Sequence, residues 1–179
     1  MDKGLLTRRE YDQLVARGVF EGAPVELLRG QIVVMSPQGE WHAELTEWLG
    51  SELVLALGRE YRVRQHSPFA AGRRSEPEPD IAVSVRVGRK PSHPNRALLL
   101  VEVAESSLAR DRGIKAAIYA ENGAAEYWIV DVEARCVWVH TQPIGNMYTR
   151  VAKLTRRNKL VPTQLPGISI SIADMFALR

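Results

Sequence analysis

From Glu40 to Leu57 the apolar positions are Trp41, Leu45, Trp48, Leu49, Leu53, Ala56 and Leu57, three or four apart, with Gly58 behind them. That spacing predicts one long helix with a glycine stop. Upstream, Thr7-Arg8-Arg9-Glu10 has the form of a capping box and predicts a short helix ending at Gly18. Val25-Glu26-Leu27-Leu28 and Gln31-Ile32-Val33-Val34-Met35 are β-rich runs separated by Arg29-Gly30, the signature of a tight hairpin, and Ser36-Pro37-Gln38-Gly39 breaks the second strand.

Beyond the long helix, Tyr61-Arg62-Val63-Arg64 alternates like a strand, and a Gly-, Arg-, Glu- and Pro-rich loop leads into a strand at Asp80-Ile81-Ala82-Val83-Ser84-Val85. Residues 97–104 form the most apolar run of the chain, without alternation, which predicts a central strand buried on both faces. A loop at 106–110 precedes a helix from about Asp111 to Glu121, with Asp111 as its N-cap, ended by Asn122-Gly123. Strands are expected at 126–132, 135–140 and 148–154, then a polar turn at 156–158 and a short helix near Ile172 to Leu178. The pattern is α+β with an α/β-like centre: a mixed sheet of five or more strands beside one long helix, and a second helix following the central strand.

The chain has 179 residues, the size of one domain, and no linker, repeat or low-complexity tract divides residues 1–179. With 45% hydrophobic and 25% charged residues the composition is that of a globular chain, which excludes a disordered or collagen-like one. Cys136 is the single cysteine, so an internal disulfide and a cysteine-rich zinc site are excluded. No apolar run reaches the roughly 20 residues of a membrane helix, and Met1-Asp2-Lys3-Gly4 does not begin a signal peptide; a cytoplasmic protein is expected. The net charge of +3 permits nucleic-acid binding without requiring it. Arginine predominates among the cations, at 59, 62, 64, 73 and 74, at 86, 89 and 96 with Lys90, and at 156 and 157 with Lys159. Arginine suits phosphate oxygens, although a solvated surface accounts for charge alone.

Three acids stand in apolar strand contexts: Glu26 between Val25 and Leu27, Asp80 after Pro79, and Glu102 inside the central run. An unpaired carboxylate there costs several kcal/mol or is forced neutral. Such a residue is tolerated where it binds a metal, pairs with a cation or does chemistry. Asp111, Lys115 and Tyr119 are spaced by four and share one helix face.

In order along the chain, Pro79-Asp80, Val101-Glu102-Val103, Asp111-Arg112-Gly113-Ile114-Lys115 with Tyr119, and Glu126 to Asp131 resemble the PD-(D/E)XK nuclease superfamily. More narrowly, with the hairpin at 26–37 and His42, they resemble the bacterial Uma-two family of restriction-endonuclease-like proteins, from about residue 7 onward. The resemblance implies a restriction-endonuclease-like fold and a metal-dependent endonuclease hydrolysing phosphodiester bonds of nucleic acid, DNA foremost, with Mg²⁺ or Mn²⁺. It assigns Asp80 and Glu102 to the metal, Lys115 to the motif lysine and Glu26 to an additional acid. Two departures stand out. Ala104 occupies the position, two after Glu102, where the superfamily places its lysine, so that lysine has moved to the following helix. The loop after the strand reads Glu105-Ser106-Ser107-Leu108 instead of the family's small or proline-containing one.

The chemistry fits this assignment. Two carboxylates hold Mg²⁺ while leaving positions for water and a phosphate oxygen, and the Val103 carbonyl is a candidate third ligand. Lys115 would orient or deprotonate the attacking water or stabilise the developing charge, while Glu26 would position the lysine or hold a second metal. Arg73 and Arg74 are candidates for phosphate contacts, and Tyr119 and His42 are secondary candidates for the site. A homodimer or higher homo-oligomer is expected because a duplex has two strands to cut.

Blander roles compete at each position: a turn or cap for Asp80, a buried ion pair with arginine for Glu102, a solvated helix lysine for Lys115, packing for Tyr119 and a surface histidine at 42. Trp41, Trp48, Trp128 and Trp138 suit the core or an interface, and Cys136 a small buried hydrophobe. His66, His93 and His140 lack zinc-ligand spacing. Two rival functions follow: a catalytically silent nucleic-acid-binding or structural protein of the same fold, and a two-carboxylate hydrolase such as a glycosidase working without metal.

Overall fold

The computed structural model describes residues 4–88, 92–165 and 167–177. Arg89, Lys90 and Leu178, the expected end of the last helix, lie outside the described residues. The capping box forms as expected: Thr7 Oγ1 accepts from the Glu10 N–H at 3.3 Å, Glu10 Oε2 accepts from the Thr7 N–H at 2.7 Å, and α1 runs Arg8–Ala16. β1 (Val25–Leu28) and β2 (Gln31–Val34) pair antiparallel through a two-residue turn in which Arg29 and Gly30 have φ of 50° and 85°. Positive φ at both positions matches the right-handed twist of a tight hairpin, which explains the glycine.

α2 (Glu40–Leu57) buries Leu45, Leu49, Leu53 and Leu57, a stripe repeating every four residues, against one face of the main sheet. Each such leucine contributes roughly 2 kcal/mol by leaving water. That sheet has six strands in the order β3-β4-β5-β6-β7-β8: Tyr61–Gln65, Ile81–Val85, Leu99–Ala104, Glu126–Asp131, Cys136–Ile144 and Met147–Leu154. Only β5 and β6 are parallel. A parallel neighbour needs a crossover, and the helical segment between them supplies it.

All six residues of β5 are buried, as the unalternating run predicts. Their side chains still divide by parity. Leu99, Val101 and Val103 enter the core under α2, whereas Leu100 and Ala104 enter a second core with Phe69, Tyr119 and Tyr127. Glu102 therefore points to this second face, beneath the crossover helix.

That crossover differs from the expectation. Its helical turns begin at Leu108 as α3 (Leu108–Arg110), widen into a π-helical turn at Asp111–Lys115 and continue as α4 (Ala116–Glu121). The Arg110 and Asp111 N–H groups already donate to the Ser107 carbonyl, so Asp111 lies inside the helical run and is not its N-cap. A further pair, β9 (Lys159–Leu160) with β10 (Ile170–Ser171), leads into α5 (Ile172–Met175), which closes the α2 side of the core. No helix among the described residues is long and apolar enough to cross a membrane.

Candidate active site

A cavity of about 370 Å³ lies where the end of β5, the start of β4, β1 and the π-helical turn meet. Each element delivers one group. β1 presents Glu26, buried to 1% exposure; Asp80 immediately precedes β4; β5 presents Glu102, at 4%; the π-helical turn ends on Lys115. Lys115 Nζ stands 3.0 Å from Glu102 Oε1 and 3.1 Å from Glu26 Oε2. One turn further on, Tyr119 donates its hydroxyl to the same Glu102 Oε1 at 2.6 Å. Lys115 and Tyr119 do share a helix face, and it is the face turned to Glu102.

Asp80 is held from three sides. Its Oδ2 accepts from the Val103 N–H at 2.7 Å and lies 3.1 Å from His42 Nε2, while Oδ1 lies 3.6 Å from His66 Nδ1. The Val103 contact follows from sheet register. β4 and β5 pair as Ile81 with Val101, so the next facing position sets Val103 against Pro79, beyond the first residue of β4. Pro79 has no N–H to offer the Val103 carbonyl, and the Val103 N–H turns to Asp80. Ala104 turns its carbonyl to the β6 side, where it accepts from Val132, so by alternation the Val103 carbonyl faces the β4 side and the cavity.

The cavity is strongly acidic. Glu26, Glu78, Asp80, Glu102, Glu105 and Asp111 line it against Lys115 and Arg110. Burial raises the Glu102 pKa well above 4.5, with Lys115 opposing the shift and Asp111, Asp80 and Glu26 adding to it. Burial likewise raises Asp111 and Glu78. Burial disfavours the charged form of Lys115, but Glu102, Glu26 and Asp111 outweigh it and hold the side chain as an ammonium. Glu26 Oε1 and Asp111 Oδ1 are buried without a hydrogen-bond partner. Both hydrogen bonds that Glu102 makes among the described side chains fall on Oε1.

Sequence reasoning named Glu26, Asp80, Glu102, Lys115, Val103, Tyr119 and His42, and the structure brings all seven together. It does not bring Arg73 or Arg74 to the cavity. Their backbone carbonyls accept from the N–H groups of Arg8 and Gly30, beside α1 and the hairpin turn. The arginine at the rim is Arg110, whose Nη1 lies 3.9 Å from Glu26 Oε1. Sequence reasoning also missed His66, which the β3–β4 register sets opposite Asp80, and Glu78, which sits in an irregular connection with no periodic signal. It passed over Asp111 as a cap, although its spacing from Lys115 was visible; the Ser107 hydroxyl donates to it.

Residues 8–173 match the model of the Uma2 family, described as putative restriction endonuclease. The chain belongs to the Uma2 family. Among solved structures, this Uma2 chain is similar to a putative nuclease belonging to DUF820 from Anabaena variabilis, with a TM-score of 0.68 and 18% identity over 86% of this chain and 89% of that one. At that identity the likeness establishes the fold. No curated protein matches this Uma2 sequence.

Proposed function

We propose that the protein is a divalent-metal-dependent nuclease that hydrolyses phosphodiester bonds, with DNA as its first substrate. One observation carries this reading: Lys115 bridges Glu102 and Glu26 in the cavity that Asp80 and the outward Val103 carbonyl also line. The family's description and the name of the structural relative support it.

The residues fit a hard cation. Among the described residues no three His, Cys, Asp or Glu side chains form a ready metal cage. Mg²⁺ does not require one, because it is commonly held by one or two carboxylates and keeps several waters. Asp80, Glu102 through its second oxygen, and the Val103 carbonyl would hold it, with Mn²⁺ as a substitute. Six carboxylates facing Lys115 and Arg110, with Glu26 Oε1 and Asp111 Oδ1 accepting no hydrogen bond, make a cavity with more negative charge than those two cations balance. When bound, such an ion supplies charge neutralisation at the phosphate and a more acidic attacking water.

The chain's own groups supply the rest. His42 and the Val103 N–H fix the Asp80 carboxylate, and Tyr119 fixes Glu102. Lys115, kept as an ammonium by its neighbours, faces developing charge on the transferring phosphoryl group. Glu26 anchors the lysine. A homodimer belongs to the same reading: β8, at the edge of the sheet, exposes Met147 and Val151 as pairing surface, and a duplex has two strands to cut.

The test is cleavage of supercoiled and linear DNA by the purified chain in Mg²⁺ or Mn²⁺. Nicked and linear products are expected with either ion, and none in chelator or with Glu102→Gln. A folded wild type that cuts no DNA with any divalent ion overturns the reading.

A further inference from the structure

A second, wider groove of about 1200 Å³ opens on the same face of the sheet as Glu102, toward the opposite end of the strands. The registers show the shared face: Arg64 pairs with Ala82 and Ala82 with Leu100, two residues before Glu102 on β5. Arg62, paired with Ser84, stands on the same side. From Leu98 at the groove to Val103 at the cavity is five residues of extended chain, roughly 16 Å.

The groove has the reverse charge of the cavity. Arg62, Arg64 and Arg96 line it with His93, and no Asp or Glu is among its described lining residues. None of the three arginines has a carboxylate partner among the described residues. Arg64 and Arg62 are half-buried on the sheet, and Arg64 Nη1 reaches only the Ser84 hydroxyl, at 3.3 Å. Burial, with the Arg62 charge adding to it, lowers the Arg64 pKa. Bidentate guanidinium groups in a concave site suit phosphate oxygens above other anions.

We propose that this groove binds phosphate groups of the nucleic-acid substrate's backbone at a second position, away from the acidic cavity. The proposal rests on the nuclease reading, and it explains how a chain whose cleavage cavity repels polyanions retains its substrate: the grip and the chemistry occupy separate ends of one sheet face. A free nucleotide shares the phosphate chemistry, and the test distinguishes the two.

Binding of a fluorescent DNA duplex is measured in chelator, where no cleavage is expected, across a salt series. The proteins are wild type, the triple variant Arg62→Gln/Arg64→Gln/Arg96→Gln, and Asn95→Glu, which adds a carboxylate at an exposed position of the groove. The triple variant is expected to bind at least tenfold more weakly at low salt, with a log–log salt slope shallower by about 2 to 3, close to one for each phosphate that is no longer neutralised. Asn95→Glu is expected to weaken binding as well, and it decides the matter if the triple variant fails to fold. Wild type that binds no duplex, or variants that bind with wild-type affinity and slope, overturn the proposal. So does pyrophosphate or a mononucleotide that stabilises wild type but not the variants while duplex binding is equal in all three. Cleavage in Mg²⁺ is scored separately. A wild type that binds through the groove but does not cut removes the nuclease reading alone, and one that cuts while groove variants bind normally removes the groove alone.

Discussion

The Val103 N–H donates to Asp80 Oδ2 at 2.7 Å, so a carboxylate accepts from β5 just past the first residue of β4. One acid is thereby fastened to the backbone beside the other acid, Glu102. His42, from the first turn of α2, adds the second restraint at 3.1 Å.

Removing that restraint should act on the metal. His42→Ala is expected to leave the fold intact and raise the Mg²⁺ concentration for half-maximal cleavage by about 10- to 100-fold, the usual effect of losing a group that orients a ligand. Titrating cleavage against Mg²⁺ measures it, and an unchanged requirement would show that Asp80 needs no help from α2.

Lys115→Met removes the ammonium between Glu102 and Glu26 and strands two buried carboxylates. Metal-free stability should fall by about 3 kcal/mol, the low end for breaking a buried pair. Cleavage should be lost, and Mg²⁺ should restore part of the stability by replacing the missing positive charge. Denaturant melts in chelator and in Mg²⁺ check both halves.

The pH dependence of the metal-free protein follows from raised carboxyl pKa values. Burial raises Glu102, Asp111 and Glu78, so the folded state holds these protons more tightly than the unfolded chain does. Their contribution is complete below the usual carboxyl range and is lost as pH climbs through the raised values. The melting temperature in chelator should therefore fall as pH rises above the usual carboxyl range, and Glu102→Gln should flatten the fall. His140, whose pKa burial lowers, works in the opposite sense around and below 6.5. A melting temperature that rises steadily as pH climbs above the carboxyl range would contradict the charge balance described for the cavity.

Tyr119→Phe deletes one hydroxyl, fully buried and bonded to Glu102 Oε1 at 2.6 Å. A loss of about 1.5 kcal/mol in stability is expected, in the range for a hydrogen bond to a charged group. Cleavage should drop while Lys115 still holds Glu102, so the variant should retain activity that Glu102→Gln lacks. Parallel melts and cleavage time courses of the two variants test this ordering.

Features carried by local pattern were legible in the chain. The unbroken apolar run of β5 predicts its burial, and an acid inside that run predicts a partner, which Lys115 and Tyr119 provide. The four-residue leucine stripe of α2 and the Arg29-Gly30 turn are equally local. His66 and Glu78 were not legible, because the pairing of β3 with β4 brings in the first and an irregular loop the second. β9 and β10, two residues each, are too short to show a period of two. Arg73 and Arg74 were read as phosphate grips from charge alone, and that the fold sets them beside α1 and the hairpin turn, through their carbonyls, was not legible. Arg62 and Arg64 had the same charge, and only strand register shows that they share an open face.

The π-helical turn at Asp111–Lys115 sets the angular phase of everything that follows it. Each residue of an ordinary helix advances about 100° around the axis. Excising a single residue from the wide turn, and so restoring regular winding, would rotate the downstream helix by about that amount relative to α3. The ammonium and the phenol that now meet on one carboxylate oxygen would swing off the sheet together. The spare residue in that turn is thus the shim that lets a lysine carried on a helix reach an acid carried on a strand.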